Sequence, residues 1–86
     1  MSMTPADARF EVRRYLAARP TASLDLDSIL HGMRHKGLEI DKPEIEAALT
    51  FLMGLQPAQV MGQITSTNAK RFQITSAGVV AYENND

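Results

Sequence analysis

The chain has 86 residues, of which 44% are apolar, a composition that suits a folded domain and is too apolar for a disordered chain. We expect a single domain over residues 1–86, because a second core could not be filled at this length. The sequence contains no cysteine, which excludes disulfides, thiolate zinc sites and a cysteine nucleophile.

The sequence predicts a cytoplasmic protein without a membrane span. Its first residues lack the basic start and continuous apolar run of a signal peptide, and no apolar stretch approaches the roughly 20 residues of a membrane helix. The net charge of −1 gives no global attraction to nucleic acid. Any phosphate-binding surface must therefore be local, and seven of the nine Lys and Arg residues lie in residues 1–43.

The first predicted helix begins after Thr4, which is followed by a proline at the favoured first helical position. It runs to about Arg19, where Pro20 stops it. One face of this helix is apolar and is predicted to be buried: Ala8, Val12, Tyr15 and Leu16.

A second helix is predicted after a short extended segment, Thr21 to Leu26, and is capped by Asp25 or Asp27. Gly37 ends it, in the position where a left-handed residue is commonly needed. Its buried side is predicted to be Ile29, Leu30 and Met33.

The third helix is predicted over residues 42–53, because Asp41 and Glu44 have the spacing of a capping box and Gly54 follows as a stop. Apolar residues then recur at helical spacing and predict the buried side: Ile45, Ala48, Leu49 and Leu52.

Beyond this helix the apolar period changes to two, with Val60 and Ile64 in one run and Phe72 and Ile74 in the next. Residues 66–69 lie between the runs and have turn chemistry, which predicts a two-stranded β-hairpin. A short last helix follows, capped by Thr75 or Ser76.

This order of elements resembles the winged-helix superfamily over roughly residues 5–83. The stretch Phe72–Gly78 is similar to the aromatic-x-aliphatic-Thr-x-x-Gly run that leaves the wing in many bacterial winged-helix regulators. The resemblance implies an α+β winged-helix domain with a three-helix core, a two-stranded β-hairpin wing and a short C-terminal helix.

The resemblance also implies a DNA-binding module whose third helix enters the major groove while the wing touches the backbone. On the outward face of this helix, however, Glu46, Ala47, Thr50 and Phe51 stand where Arg, Lys, Asn or Gln would contact base edges. We therefore predict a small transcriptional regulator or accessory factor that contacts mainly the phosphate backbone of double-stranded DNA.

The predicted nucleic-acid-binding residues are basic side chains at the end of the second helix, the start of the third helix and the wing, with one hydroxyl on the third helix. They are Arg34, Lys36, Lys42, Lys70, Arg71 and Thr50. Their contacts with phosphates would be sensitive to salt. The alternative is that these are ordinary solvated charges that also pair with helix dipoles.

A protein-interaction module that uses the same scaffold without binding DNA is the second hypothesis. Phe51, with Ala47 and Met53 beside it, would form its docking surface. We also predict that Phe10 and Tyr82 lie at a symmetric homodimer interface. The alternative is that Phe10 is a surface aromatic that the chain itself partly covers.

Catalytic motifs are missing from the sequence, and a domain this small offers little concave volume, so we expect neither an enzyme nor a cofactor. Asp27, His31 and His35 are spaced by four and project from one stripe of the second helix. This spacing is common by chance and no further ligand is evident, so we expect no metal site.

Overall fold

The computed structural model describes residues 4–64 and 70–84. Within these residues the chain forms four helices and one antiparallel sheet of three strands, which confirms the predicted α+β class. The elements in chain order are α1 (Pro5–Ala17), β1 (Leu24–Asp25), α2 (Leu26–His35), α3 (Lys42–Met53), β2 (Val60–Ile64), β3 (Lys70–Ile74) and α4 (Ser76–Glu83).

The start of α1 is the predicted one, since the Thr4 hydroxyl accepts a hydrogen bond from the N–H of Asp7 at 3.1 Å. Its end differs from the prediction. The helix stops at Ala17, and Arg19 lies beyond it with a guanidinium that donates to the carbonyl of Tyr15 at 3.0 Å. That bond satisfies a carbonyl that the last helical turn would otherwise leave free.

Of the two predicted caps of α2, Asp25 is the residue that caps it, and its carboxylate accepts from the N–H of Ser28 at 2.9 Å. Gly37 follows the helix with a φ of +87°, the left-handed conformation predicted for it.

The bounds of α3 are those predicted from its capping box. The side chain of Glu44 accepts from the N–H of Asp41 at 2.9 Å, and the Asp41 side chain accepts in return from the helix backbone. Gly54 follows the helix as its C-cap with a φ of −84°, so the stop does not use a left-handed glycine.

The core lies where α1, α2, α3 and the inner face of the sheet meet. All the buried positions predicted on α1 and α3 are buried, while Leu30 of α2 is only partly so. The buried apolar residues among those described are Ala8, Val12, Tyr15, Leu16, Ile29, Met33, Ile40, Ile45, Ala48, Leu49, Leu52, Val60, Phe72 and Ile74.

The predicted two-stranded sheet is wrong, because β1 adds a third strand and the order is β1-β3-β2. Leu24 pairs with Phe72 and Asp25 with Arg71. A strand of two residues is too short to show an alternating pattern, so the sequence indicated only an extended segment here. The turn predicted at residues 66–69 lies outside the described residues.

The edge of β3 that faces β1 is covered by the segment that leads into α2. The Arg71 guanidinium donates to the carbonyl of Ser23 at 2.7 Å, and the Gln73 side chain donates to the carbonyl of Pro20 at 3.1 Å. Both carbonyls precede β1 in the chain, so these side chains of β3 continue its contact with the covering segment on the N-terminal side of the short backbone pairing.

The contacts at the junction between β3 and α4 explain why the stretch Phe72–Gly78 has a threonine at position 75 and a glycine at position 78. The Thr75 hydroxyl donates to the carbonyl of Ala58 at 2.6 Å and accepts from the N–H of Gly78 at 3.2 Å. The N–H of Thr75 donates to the carbonyl of Gln59 at 3.0 Å. A Cβ at position 78 would overlap that Gln59 carbonyl and lie 2.6 Å from the side chain of Ile74, so glycine is required here by close approach.

We expect Gly78→Ala to destabilise the fold by about 1–3 kcal/mol, because the new methyl group meets backbone that cannot move aside. Gly54→Ala is the matched control. A Cβ there would lie 3.5 Å from its nearest neighbour, in helical backbone that alanine adopts readily. We expect this control to be neutral or slightly stabilising. Urea unfolding measures both, and equal effects would contradict the close-approach argument.

Candidate nucleic-acid interface and neighbouring groove

A groove of about 390 Å³ lies between the exposed side of α3, the start of α2 and the face of β3. We call it the α3–sheet groove. Apolar side chains form its floor and charged ones its rim. Its lining consists of Asp25, Leu26, Asp27, Lys42, Glu46, Leu49, Thr50, Met53, Lys70 and Phe72.

Three of the six predicted nucleic-acid-binding residues lie together in this groove: Lys42, Thr50 and Lys70. The first two share the exposed side of α3, two helical turns apart. Lys70 reaches the groove from β3, where alternate side chains share a face, so that its ammonium lies 5.7 Å from the centre of the Phe72 ring.

The same groove carries three carboxylates. The sequence analysis placed Glu46 on this exposed side of α3, but it did not bring Asp25 or Asp27 to the groove. Asp27 pairs with Lys42 at 3.2 Å, and both side chains are at least half exposed. Such an exposed pair contributes roughly 0–1 kcal/mol. Glu46 and Asp25 also line the groove, so its charge is mixed and not uniformly positive.

The surroundings of Asp25 lower the pKa of its carboxyl group. Hydrogen bonds from the hydroxyl and then the backbone N–H of Ser28 hold the pKa of Asp25 below its ordinary value of 3.8, and the charge of Arg71 lowers it further. The cap of α2 therefore keeps its charge well into acid.

The two predicted arginines bind the chain itself. Arg34 donates to the carbonyl of Ile40 at 3.0 Å and pairs with Asp41 at 2.8 Å, which ties the end of α2 to the start of α3. Arg71 donates to Ser23 across the sheet edge. Planar guanidinium groups suit such paired contacts.

Lys36 lies apart from the α3–sheet groove. Its ammonium stands 5.8 Å from the centre of the Tyr15 ring, in a shallow pocket that also includes Glu11 and Arg14. The structure does not bring this predicted residue together with Lys42 and Lys70.

A second groove, of about 310 Å³, runs between α1 and α3. We call it the α1–α3 groove. Phe51 lies at its edge with 47% of its surface exposed, and the guanidinium carbon of Arg9 is 4.1 Å from the centre of the Phe51 ring. Arg9 was not predicted as a site residue, because its neighbour across the groove lies 42 positions later in the sequence and no local pattern connects them.

The two aromatic residues predicted at a homodimer interface contact each other within one chain. The ring centres of Phe10 and Tyr82 are 5.9 Å apart, which packs α4 against α1. Both residues are half-buried.

No three His, Asp or Glu side chains of residues 4–64 and 70–84 are grouped so that they could hold a metal ion. That part of the chain also has no helix of the length and apolarity needed to cross a bilayer.

No protein-family model, curated protein or solved structure matches this chain. The resemblance to winged-helix proteins rests on the order of the elements, on the apolar pattern of the third helix from Ile45 to Leu55 and on the stretch Phe72–Gly78.

The lowered pKa of Asp25 predicts a pH-dependent contribution to stability. Because the pKa of Asp25 is lower in the folded state, its carboxylate stabilises the fold at pH values above the unfolded pKa of 3.8. This contribution is lost as the pH falls through the folded pKa. We expect the melting temperature of Asp25→Asn, which keeps a capping oxygen without the charge, to be lower than that of the wild type at neutral pH. The gap should close in acid below pH 3.8.

Asp25→Ala is the companion variant, because it lacks a capping oxygen at every pH. It should melt below both other proteins across the whole range. If the gap between wild type and Asp25→Asn stayed constant into strong acid, the charge of Asp25 would not be the stabilising element.

Proposed function

We propose that this chain is a winged-helix module that binds double-stranded DNA, mainly through the phosphate backbone. The observation that carries the proposal is the meeting of Lys42, Thr50 and Lys70 in the α3–sheet groove. Winged-helix proteins place their third helix and wing against DNA, and this groove lies between α3 and the first residue of β3.

The order of the elements supports the same proposal. The extended piece that precedes the second helix in the resemblance corresponds to β1, and the hairpin of the resemblance corresponds to β2 and β3, which pair antiparallel. In this proposal β2 and β3 form the wing, and β1 joins them in one three-stranded sheet.

The charge in the groove defines what kind of binding to expect. Two lysines offer ammonium groups to phosphates, and the exposed Lys42–Asp27 pair is weak enough for a phosphate to compete with it. Three carboxylates oppose them. Binding should therefore be weak and strongly dependent on salt, with little selection among base sequences.

Lys42→Ala and Lys70→Ala should each weaken binding to a random DNA duplex. Each should also reduce the slope of log affinity against log salt by about 1, because each lysine releases counterions from one phosphate contact. Fluorescence anisotropy at several salt concentrations measures both quantities. Lys36→Ala is the matched control, since Lys36 lies beside Tyr15 and away from the groove.

The proposal fails if the wild-type chain shows no salt-sensitive binding to duplex DNA. It also fails if Lys36→Ala reduces the slope as much as the groove variants do, because binding would then be a property of net charge alone.

Glu46→Gln should have the opposite effect and strengthen binding several-fold at low salt, because it removes a charge that repels phosphates across the groove. The gain should shrink as the ionic strength rises and the Debye length falls. Glu83→Gln, at the end of α4, changes the net charge by the same amount and is the control. An equal gain in both variants would show that Glu46 does not face the bound DNA.

A further inference from the structure

Gly62 is an exposed residue in the middle of β2, and its backbone conformation does not require a glycine. The residue pairs with Phe72 in the regular register of the sheet, and its φ lies outside the left-handed region. A glycine inside a strand weakens the strand and often marks a place where another group approaches closely. The reason for a glycine here must therefore lie in the side chains around it.

Two flexible side chains converge on the space that a side chain at position 62 would fill. A Cβ there would lie 2.9 Å from the Sδ of Met53, at the end of α3, and 3.4 Å from the Cε of Lys70. The third neighbour is Phe72, whose ring carbon Cε1 would be 3.7 Å away. All three residues line the α3–sheet groove. Gly62 thus lies beside the part of this groove that carries Lys70.

The path of the Lys70 side chain depends on this open space. Lys70 pairs with Ile64, which is two residues beyond Gly62 on β2. Its Cε nevertheless lies beside Gly62, and its ammonium is 5.7 Å from the centre of the Phe72 ring. The stem therefore leans diagonally across the two strands. Diagonal neighbours on one face of an antiparallel pair are within reach of long side chains.

We infer that Gly62 is a positioning residue for Lys70. Because Gly62 has no side chain, the Lys70 stem lies across β2 towards Phe72, and this path brings the ammonium to the α3–sheet groove. A larger residue at position 62 would displace the stem towards solvent and release the charge from the groove. The consequence for DNA binding rests on the proposed function, whereas the position of the ammonium in the free protein does not.

Nuclear Overhauser spectra of the free protein test the position of Lys70. In the wild type we expect contacts of the Lys70 ε-methylene protons with the α protons of Gly62 and with the Phe72 ring. Gly62→Val should lose the contact between Lys70 and the Phe72 ring, and Gly62→Ala should weaken it. Met61→Val is the matched control, because Met61 precedes Gly62 on the opposite face of the sheet. It should keep the contact.

The substitutions at Gly62 should not lower the melting temperature. A new side chain first meets the ends of the flexible Met53 and Lys70 side chains, which can turn aside, and replacing a glycine inside a strand favours the strand. Melting followed by circular dichroism measures this. If Gly62→Val did not fold, Gly62→Ala, which adds a single methyl group, would carry the same tests.

Binding to a random DNA duplex shows whether Gly62 acts through Lys70. Gly62→Val should weaken binding and reduce the slope of log affinity against log salt by about 1, as Lys70→Ala does. In the Lys70→Ala background it should have no further effect, because the side chain that it displaces is already gone. Met61→Val should bind like the wild type.

Three results would overturn the inference: a wild type without the contact between Lys70 and the Phe72 ring, a Gly62→Val variant that keeps this contact, or an effect of Gly62→Val on DNA binding that persists in the Lys70→Ala background. If the contact is lost in Gly62→Val and the wild type binds no DNA, the proposed function fails and the positioning of Lys70 by Gly62 stands. If Lys70→Ala weakens DNA binding and Gly62→Val does not, the inference fails and the proposed function stands.

Discussion

Thr75 connects three parts of the molecule through one short side chain and its own backbone. Its hydroxyl bonds both the carbonyl of Ala58 and the first turn of α4, and its N–H bonds Gln59. The start of β2 is thereby fixed against the end of β3, with Val60 opposite Ile74. Because strand register carries along a pair, this junction also sets where the far end of β3 lies relative to α3. The position of Lys70 in the α3–sheet groove thus depends on a contact at the opposite end of the strand.

Local chemistry made much of this fold predictable. The bounds of α3 followed from its capping box and helical spacing, and the start of α1 followed from Thr4. Each of these signals involves residues within a few positions of one another. The strand β1 was not predicted, because its two residues are a strand only by pairing with Arg71 and Phe72, nearly 50 positions away.

The candidate site was predictable in part for the same reason. The sequence showed which residues are basic, but the partner of each depends on the folded chain. Arg34 and Arg71 bind backbone carbonyls within the molecule, whereas Lys42 and Lys70 stand at the rim of a groove. The guanidinium group has several donors in a fixed plane, which suits the arginines to contacts within the molecule. The lysines carry a single ammonium group on a flexible stem, and here these groups lie at the surface. The carboxylates of Asp25 and Asp27 reach the groove because α2 starts beside α3, which no local pattern encodes.

The covering of β3 by residues 20–25 also bears on how the protein behaves at high concentration. An open strand edge offers unpaired backbone groups to which the strand of another molecule can add, and this is a common start of aggregation. Here the pairing of Leu24 with Phe72 is flanked by the side chains of Arg71 and Gln73, each bound to a carbonyl of the covering segment. The central strand of the sheet is thereby closed to a foreign chain on this side, although the strand that closes it is only two residues long.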